Sequence, residues 1–468
     1  MRTKTRLKKY KVFHTLTVVL TVCIMLQLSG CSNTVAPVTK DLRLGSNYEI
    51  TAVLDPYNKT LEYTAQAHIR NSGQSDTDEL YFHLYGNLYK TETEGITVNS
   101  IIDESGNAIS YVPEDNDQLL RLTLNGALAG GGETTAFFDC TVTIPDMISV
   151  FGVARDNEIH LPFFSPELAM HDKNGWNTKP LAQAGDGRYL ALSDYTLSIQ
   201  APSEYEIVCN GAELLRETQN GQTAYTFQAN QRREIVVTAY TDYVHMERVV
   251  GKTRILGYFN ANRFSSQSDM ENTMDAAAFS MDYYNRTFMV YPFDTLIITN
   301  GTSLRGDGAN MEYSGLFTVA GFSVAATYHE MAHQWFYFLV GNNENEEPWL
   351  DEAFATFAHT ICEEAAGFDR ASWWGFQKDV AYEYEAGKAI NVSYDEAENY
   401  TDLFYNRGAY FLKELMDAMG RDEFLSILSE YCETYAFGFA TTEGFISLLR
   451  ERTPVDVDDI IDEYIGNR

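Results

Sequence analysis

The sequence predicts a multidomain chain, an all-β N-terminal domain followed by an α+β domain that carries the chemistry. Three observations point there. Period-two alternation of apolar and polar residues, punctuated by turn residues, recurs through residues 47–246. Beyond about residue 250 the apolar spacing becomes helical. Within that second part His329-Glu330-Met331-Ala332-His333 forms an H-E-x-x-H motif, and Glu352 follows after eighteen intervening residues.

In chain order, residues 1–11 carry Arg2, Lys4, Arg6, Lys8, Lys9 and Lys11, and a mostly apolar run extends through Leu28. This is the basic and apolar pattern of an export signal over residues 1–30, too short for a membrane span. It ends in Leu28-Ser29-Gly30-Cys31, which resembles a bacterial lipobox. The resemblance implies that Cys31 is lipidated and that the rest of the chain works outside the cytoplasm, held to a membrane by lipid. Residues 31–46 read as a polar tether. The strand segments are 48–54, 61–70, 79–84, 119–124, 134–144, 195–199, 223–228 and 234–239. Asp55-Pro56, Asn71-Ser72-Gly73 and Asn210-Gly211 supply turns between them. His68, His83, His160 and His171 lie in this region without metal-ligand spacing and are expected to be surface or core residues.

The second domain is expected over residues 247–468. Residues 268–289 have helical spacing, 295–299 (TLIIT) read as a short buried strand, and 311–316 as an edge strand near the site. The motif helix follows, with Ser323 as its expected N-cap and Gly341 as its C-cap. Acidic residues 342–347 lead through Pro348 into a second helix ending near Gly367. Further helices fit 373–385, 402–419, 421–435, 441–451 and 457–465. A small sheet followed by a helical bundle is a zincin-like, or thermolysin-like, layout. The glycine-rich residues 301–308 lack the G-K-[ST] ending of a phosphate loop.

The chemistry of the motif follows from helix geometry. Positions four apart differ by about 40° of rotation and roughly 6 Å of rise, so His329 and His333 can reach one ion. With Glu352 as third ligand, one Zn²⁺ per chain keeps a fourth position open, and Glu330 is placed as general base. Charge narrows the partners. The formal charge is −32, and without the signal's six basic residues 28 Lys+Arg stand against 66 Asp+Glu, or −38. Such a body repels nucleic acid and anionic lipid. Four cysteines remain beyond Cys31, namely Cys140, Cys209, Cys362 and Cys432. Their spacing fits one or two disulfides or free buried thiols equally.

Together with Gln334-Trp335-Phe336, Trp349-Leu350-Asp351-Glu352-Ala353-Phe354-Ala355, Met311-Glu312 after Gly308-Ala309, and Phe404-Tyr405-Asn406-Arg407-Gly408-Ala409, the motif resembles the aminopeptidase N family of gluzincin metallopeptidases. In that family these stretches read close to W-L-N-E-G-F-A, G-x-M-E-N and Y-x-K-G-A. The likeness covers most of residues 47–468, and larger members continue with further C-terminal domains. It implies a zinc aminopeptidase acting on peptides, with Tyr405 donating to the oxyanion and Glu312 binding the substrate ammonium. The segment around Glu312 departs from the family spacing, no second ammonium ligand is evident, and His359 stands where relatives often place an acid. A zinc endopeptidase or other amidohydrolase, and a catalytically idle peptide-binding lipoprotein, are the alternative readings.

Overall fold

Alternation of small or apolar residues with polar ones turns Leu44–Asp55, Thr60–Asn71, Glu133–Thr143, Ser193–Pro202 and Gln222–Arg232 into long strands with one buried face. The computed structural model describes residues 44–466 apart from Gln74, Ile148, 155–156, 182–184, Asp186, 261–265, 302–308 and Phe322. The expected export signal, Cys31, most of the tether and nearly all of the glycine-rich segment lie outside the described residues. Along Thr60–Asn71 the residues Leu61, Tyr63, Ala65, Ala67 and Ile69 are buried while their neighbours face outward. This strand sits in a seven-stranded sheet, ordered Ala212–Gln219, Gln222–Arg232, Ser193–Pro202, Leu44–Asp55, Thr60–Asn71, Glu133–Thr143, Gly95–Ile102. Leu44–Asp55 and Ser193–Pro202 run parallel, which brings Tyr48 opposite Tyr195 with stacked rings 5.0 Å apart.

The β region also holds two four-stranded sheets, one built on Thr77–His83 and Leu119–Leu128, the other on Val236–Tyr240 and Ile159–Pro162, and the short pair His171–Asp172 and Gly175–Trp176. Gly95–Ile102, Ser110–Glu114 and Ala212–Gln219 were not expected as strands. Ala212–Gln219 is exposed along its whole length, so no alternation marks it. Among the described residues Cys140, Cys209, Cys362 and Cys432 are free and buried.

The second part opens with the hairpin Val244–Val250 and Thr253–Phe259, which joins Thr295–Asn300 and Leu316–Val319 in one sheet. The expected boundary at 246 thus falls inside a strand. Helices Gln267–Thr287, Val324–Ala332, Trp349–Ala365, Ala371–Asp379, Gly408–Met419, Arg421–Tyr435, Thr442–Arg452 and Asp458–Ile465 pack over it around a core rich in aromatic side chains. No helix among the described residues is long and apolar enough to cross a membrane.

Three expectations need correction. Of residues 311–316 only Leu316 is in a strand; 311–315 are a turn with one bridge, Met311 to Thr318, because Gly315 adopts φ 75° and the Leu316 N–H closes on the Tyr313 carbonyl at 3.2 Å. Gly341 does not cap the motif helix, which ends at Ala332. Residues 335–340 are apolar and buried on every side, so they leave the helix to fill the core, and Gly341 pairs in the strand Val340–Gly341 against Gly438–Phe439. Third, the helices expected over 373–385 and 402–419 each contain a wider π turn, Val380–Tyr384 and Thr401–Arg407.

A small apolar cluster ties the two regions together. Tyr85, Phe163, Val236 and Tyr240 from the β region meet Ile297, Met311, Tyr313 and Leu316. Ser314 is fastened to the same seam, its N–H and hydroxyl donating to the Glu234 carboxylate at 2.6 and 2.8 Å. The turn that carries Glu312 is therefore anchored on the β side.

Candidate metal centre and active site

Ser323 starts the motif helix as expected, its hydroxyl accepting from the Ala326 N–H at 3.1 Å. His329 lies in the last turn, and His333 follows with helical dihedrals, φ −62° and ψ −17°, so both rings share one face. Their Nε2 atoms are 3.0 Å apart. From the next helix Glu352 brings Oε2 to 3.3 Å of His329 Nε2 and 3.4 Å of His333 Nε2. The Phe336 carbonyl, 3.0 Å from His333 Nδ1, can only accept, so Nδ1 holds the proton and Nε2 presents its lone pair.

These three atoms pass a direct test for a bound cation. Glu352 Oε2 is buried and makes no hydrogen bond. Lone pairs converging in a buried site need a positive charge among them. Ligands about 2.0–2.2 Å from a tetrahedral zinc stand roughly 3.3–3.6 Å from one another, close to the spacing seen. The donor set of two imidazoles and one carboxylate suits zinc with a coordination position to spare. Electrostatics agree. Burial opposes ionisation of Glu352, yet the two imidazoles hold its carboxyl below the ordinary range. Burial pushes the His329 imidazole down, whereas at His333 the Glu352 carboxylate outweighs burial and raises it.

Glu330 and Glu312 stand beside the centre. Their carboxylate oxygens and a His333 ring nitrogen all lie within 4.8 Å of one another, and both glutamates are buried. Gln334 fixes the spacing between the helix and the Glu312 turn, since its Oε1 accepts from the Gly315 N–H at 2.9 Å and its Nε2 donates to the Tyr313 carbonyl at 3.0 Å. Tyr405 projects from the π turn, stacks on His329 with ring centroids 5.8 Å apart, and donates its hydroxyl to Glu352 Oε1. That turn is pinned by the buried Arg407, which reaches the carbonyls of Ala381, Lys388 and Glu463 at 2.6 to 2.8 Å. All six residues singled out from the sequence around the motif are thus brought together. The Tyr405 hydroxyl, expected to donate to an oxyanion, here rests on the Glu352 carboxylate.

Sequence reasoning missed several neighbours. Arg188 is buried and ion-paired to Glu312 and, at 3.3 Å, to Glu344. Asp351 lies beside Glu352, and burial together with that neighbour pushes its carboxyl well up. His359 packs edge-on to His329 at 5.6 Å and lies 3.7 Å from Glu363, which Arg370 also engages. His359 was marked in the sequence by its place seven residues, about two helical turns, after Glu352; Arg188 carried no such signal.

Residues 268–464 match the Peptidase family M1 domain. Aminopeptidase N of Streptomyces lividans is 23% identical over 293 residues, covering 56% of this chain and 34% of the relative. Glutamyl aminopeptidase of Sus scrofa is 24% identical over 310 residues, covering 58% and 31%. The chain spans about a third of the length of the curated relatives it matches. Among solved structures, an M1 zinc metallopeptidase from Deinococcus radiodurans superposes with a TM-score of 0.69 at 15% identity, over 91% of this chain and 94% of that one. A mutant of that protein bound to a Tyr-Ser-Ala substrate superposes equally well, with a TM-score of 0.69. Residues 268–464 are thus similar to the Peptidase family M1 domain and to aminopeptidase N sequences, and the fold is that of an M1 zinc metallopeptidase.

Proposed function

We propose that this protein is a zinc-dependent aminopeptidase that removes N-terminal residues from peptides. The observation that carries the reading is the convergence of His329 Nε2, His333 Nε2 and Glu352 Oε2 within 3.0 to 3.4 Å, with Glu330 and Glu312 alongside. His329, His333 and Glu352 would hold the ion, which when bound acidifies water and polarises a carbonyl. Glu330 takes the proton of the attacking water and delivers it to the leaving amine. Tyr405 turns its hydroxyl from Glu352 to the oxyanion that develops on the peptide carbonyl. Glu312 receives the substrate ammonium through a charge-assisted hydrogen bond, which favours a free N-terminus. The similarity to aminopeptidase N and glutamyl aminopeptidase supports the same reading.

The test is hydrolysis of aminoacyl-anilides and of N-blocked peptides by the purified protein, with and without a zinc chelator. Chelator-sensitive cleavage of the unblocked substrates is expected. Cleavage of blocked peptides alone would turn the reading to an endopeptidase, and an inert, metal-free protein would favour a peptide-binding role. We further propose that Cys31 is lipidated and holds the enzyme on the outer side of a bacterial membrane, a reading supported by the order of basic, apolar and Leu28-Ser29-Gly30-Cys31 residues. Cys31→Ala should then release the protein from the membrane fraction; unchanged fractionation would argue for another anchor.

A further inference from the structure

Glu312, the group read above as the ammonium receptor, already faces a cation of this chain. Arg188 is 1% exposed, and its guanidinium pairs with the Glu312 carboxylate. The arginine does not depend on that contact for its position. Its Nε and its backbone N–H reach Glu344 Oε2 at 3.3 and 3.0 Å, and the Glu344 N–H returns a bond to the Arg188 carbonyl at 3.1 Å. The guanidinium also lies 4.4 Å from the Tyr337 ring centroid and 5.7 Å from that of Phe163. A guanidinium held on several sides is fixed before substrate arrives. A Glu312 carboxylate oxygen lies within 4.8 Å of a Glu330 carboxylate oxygen and a His333 ring nitrogen, so the guanidinium paired to Glu312 stands next to the carboxylate that, on the aminopeptidase reading, receives the substrate ammonium.

We propose that Arg188 is a specificity-determining residue: it occupies the Glu312 carboxylate in the resting enzyme and weakens selection for a free N-terminal ammonium. The inference rests on the aminopeptidase reading. An incoming ammonium meets a like charge across a buried carboxylate, where solvent and salt screen little. Glu344 makes the exchange possible, because Arg188 keeps one carboxylate partner when Glu312 turns to the substrate. Free-amine recognition is thus present but blunted, and its strength is set by a residue of the β region.

The experiment measures kcat and KM for an unblocked peptide, and Ki for its N-acetylated counterpart as a competitor, in the full-length zinc-loaded enzyme. Wild type is compared with Arg188→Lys and with the charge-balanced double variant Arg188→Gln, Glu344→Gln. The double variant should lower KM for the unblocked peptide at least tenfold, with the change in KM rather than kcat and little movement in the Ki of the acetylated peptide. Arg188→Lys, which keeps the charge, should stay near the wild-type KM, and adding Glu312→Gln to the double variant should erase the gain. If the double variant does not fold, Arg188→Met with Glu344→Met carries the same expectation. A KM that is unmoved or raised in a folded double variant, or a gain that survives Glu312→Gln, overturns the inference while leaving the aminopeptidase reading standing. Cleavage of acetylated peptides alone by wild type overturns both.

Discussion

Glu167 in the strand-rich region and Glu352 in the helical region are 2% and 3% exposed, yet their surroundings treat them in opposite ways. Glu167 is met by hydroxyls, those of Tyr195 at 2.7 Å and Ser165 at 3.1 Å, and burial pushes its carboxyl up to about 8. Glu352 is met by two imidazoles, which hold it low in spite of the same burial. Desolvation disfavours charge at both sites; what differs is whether a group able to bear positive charge faces the carboxylate. The first arrangement suits a neutral acid inside a β core. The second sets a buried carboxylate between two imidazoles, and Glu312 beside Arg188 is a third arrangement in which a guanidinium faces the carboxylate.

The sharpest way to break this contrast is to remove each carboxylate and follow the metal. Glu352→Ala should leave the purified protein without zinc after dialysis and without measurable turnover, whereas Glu167→Ala should leave its zinc content at the wild-type level. Elemental analysis of both variants checks the pair, and zinc retained by Glu352→Ala would remove it from the ligand set. Next in size is Glu330→Gln, which keeps the side-chain volume and removes the base. It should retain zinc while kcat falls by about 10²–10⁴; zinc loss in this variant would make Glu330 a ligand or a structural residue instead.

Tyr405→Phe separates two duties of one hydroxyl. If its main role is on the developing oxyanion, kcat falls by about 10²–10³ with zinc affinity nearly unchanged. If the resting bond to Glu352 matters more, zinc affinity falls first, as removal of a group that orients a metal ligand commonly costs 10–100-fold. Competition with a chromogenic chelator, run beside steady-state kinetics, tells these apart.

How much of this could be read in the sequence depended on how far apart the cooperating residues lie. His329 and His333 are one helical turn apart, and Glu352 opens the next helix, so local periodicity nearly defines the centre. Thr60–Asn71 was legible because one face is buried along its length, whereas Gly95–Ile102 lacks regular alternation and is a strand only through its partner Glu133–Thr143. Gly341 looked like a helix cap because glycine ends helices often; the uninterrupted burial of residues 335–340 instead required the chain to turn earlier. Arg188 was out of reach. It lies 124 residues from Glu312 and 156 from Glu344 in the chain, in a glycine-rich stretch with no periodic pattern.

The smallest effect concerns Glu167 and is thermodynamic. In the folded protein its carboxyl is raised to about 8 from an ordinary 4.5, chiefly by burial. Below about pH 4.5 both folded and unfolded chains hold the proton, and the group contributes no pH dependence. Between 4.5 and 8 the unfolded chain releases it while the folded chain keeps it, so stability falls as pH rises, by at most ~1.4 kcal/mol per pH unit, and levels off above 8. Glu167→Gln imitates the protonated acid without the titration. Its amide can donate to Tyr195, whose hydroxyl then turns to the Arg233 carbonyl 3.3 Å away, while Ser165 keeps its bond to the remaining oxygen. The variant should therefore match wild type in urea unfolding near pH 4.5 and exceed it progressively up to pH 8, by an amount on the order of a few kcal/mol. Activity per folded molecule should not change, since Glu167 touches none of the metal-site residues. Parallel stability curves for the two proteins across this range would show that Glu167 is ionised in the fold, and would erase the difference drawn between its surroundings and those of Glu352.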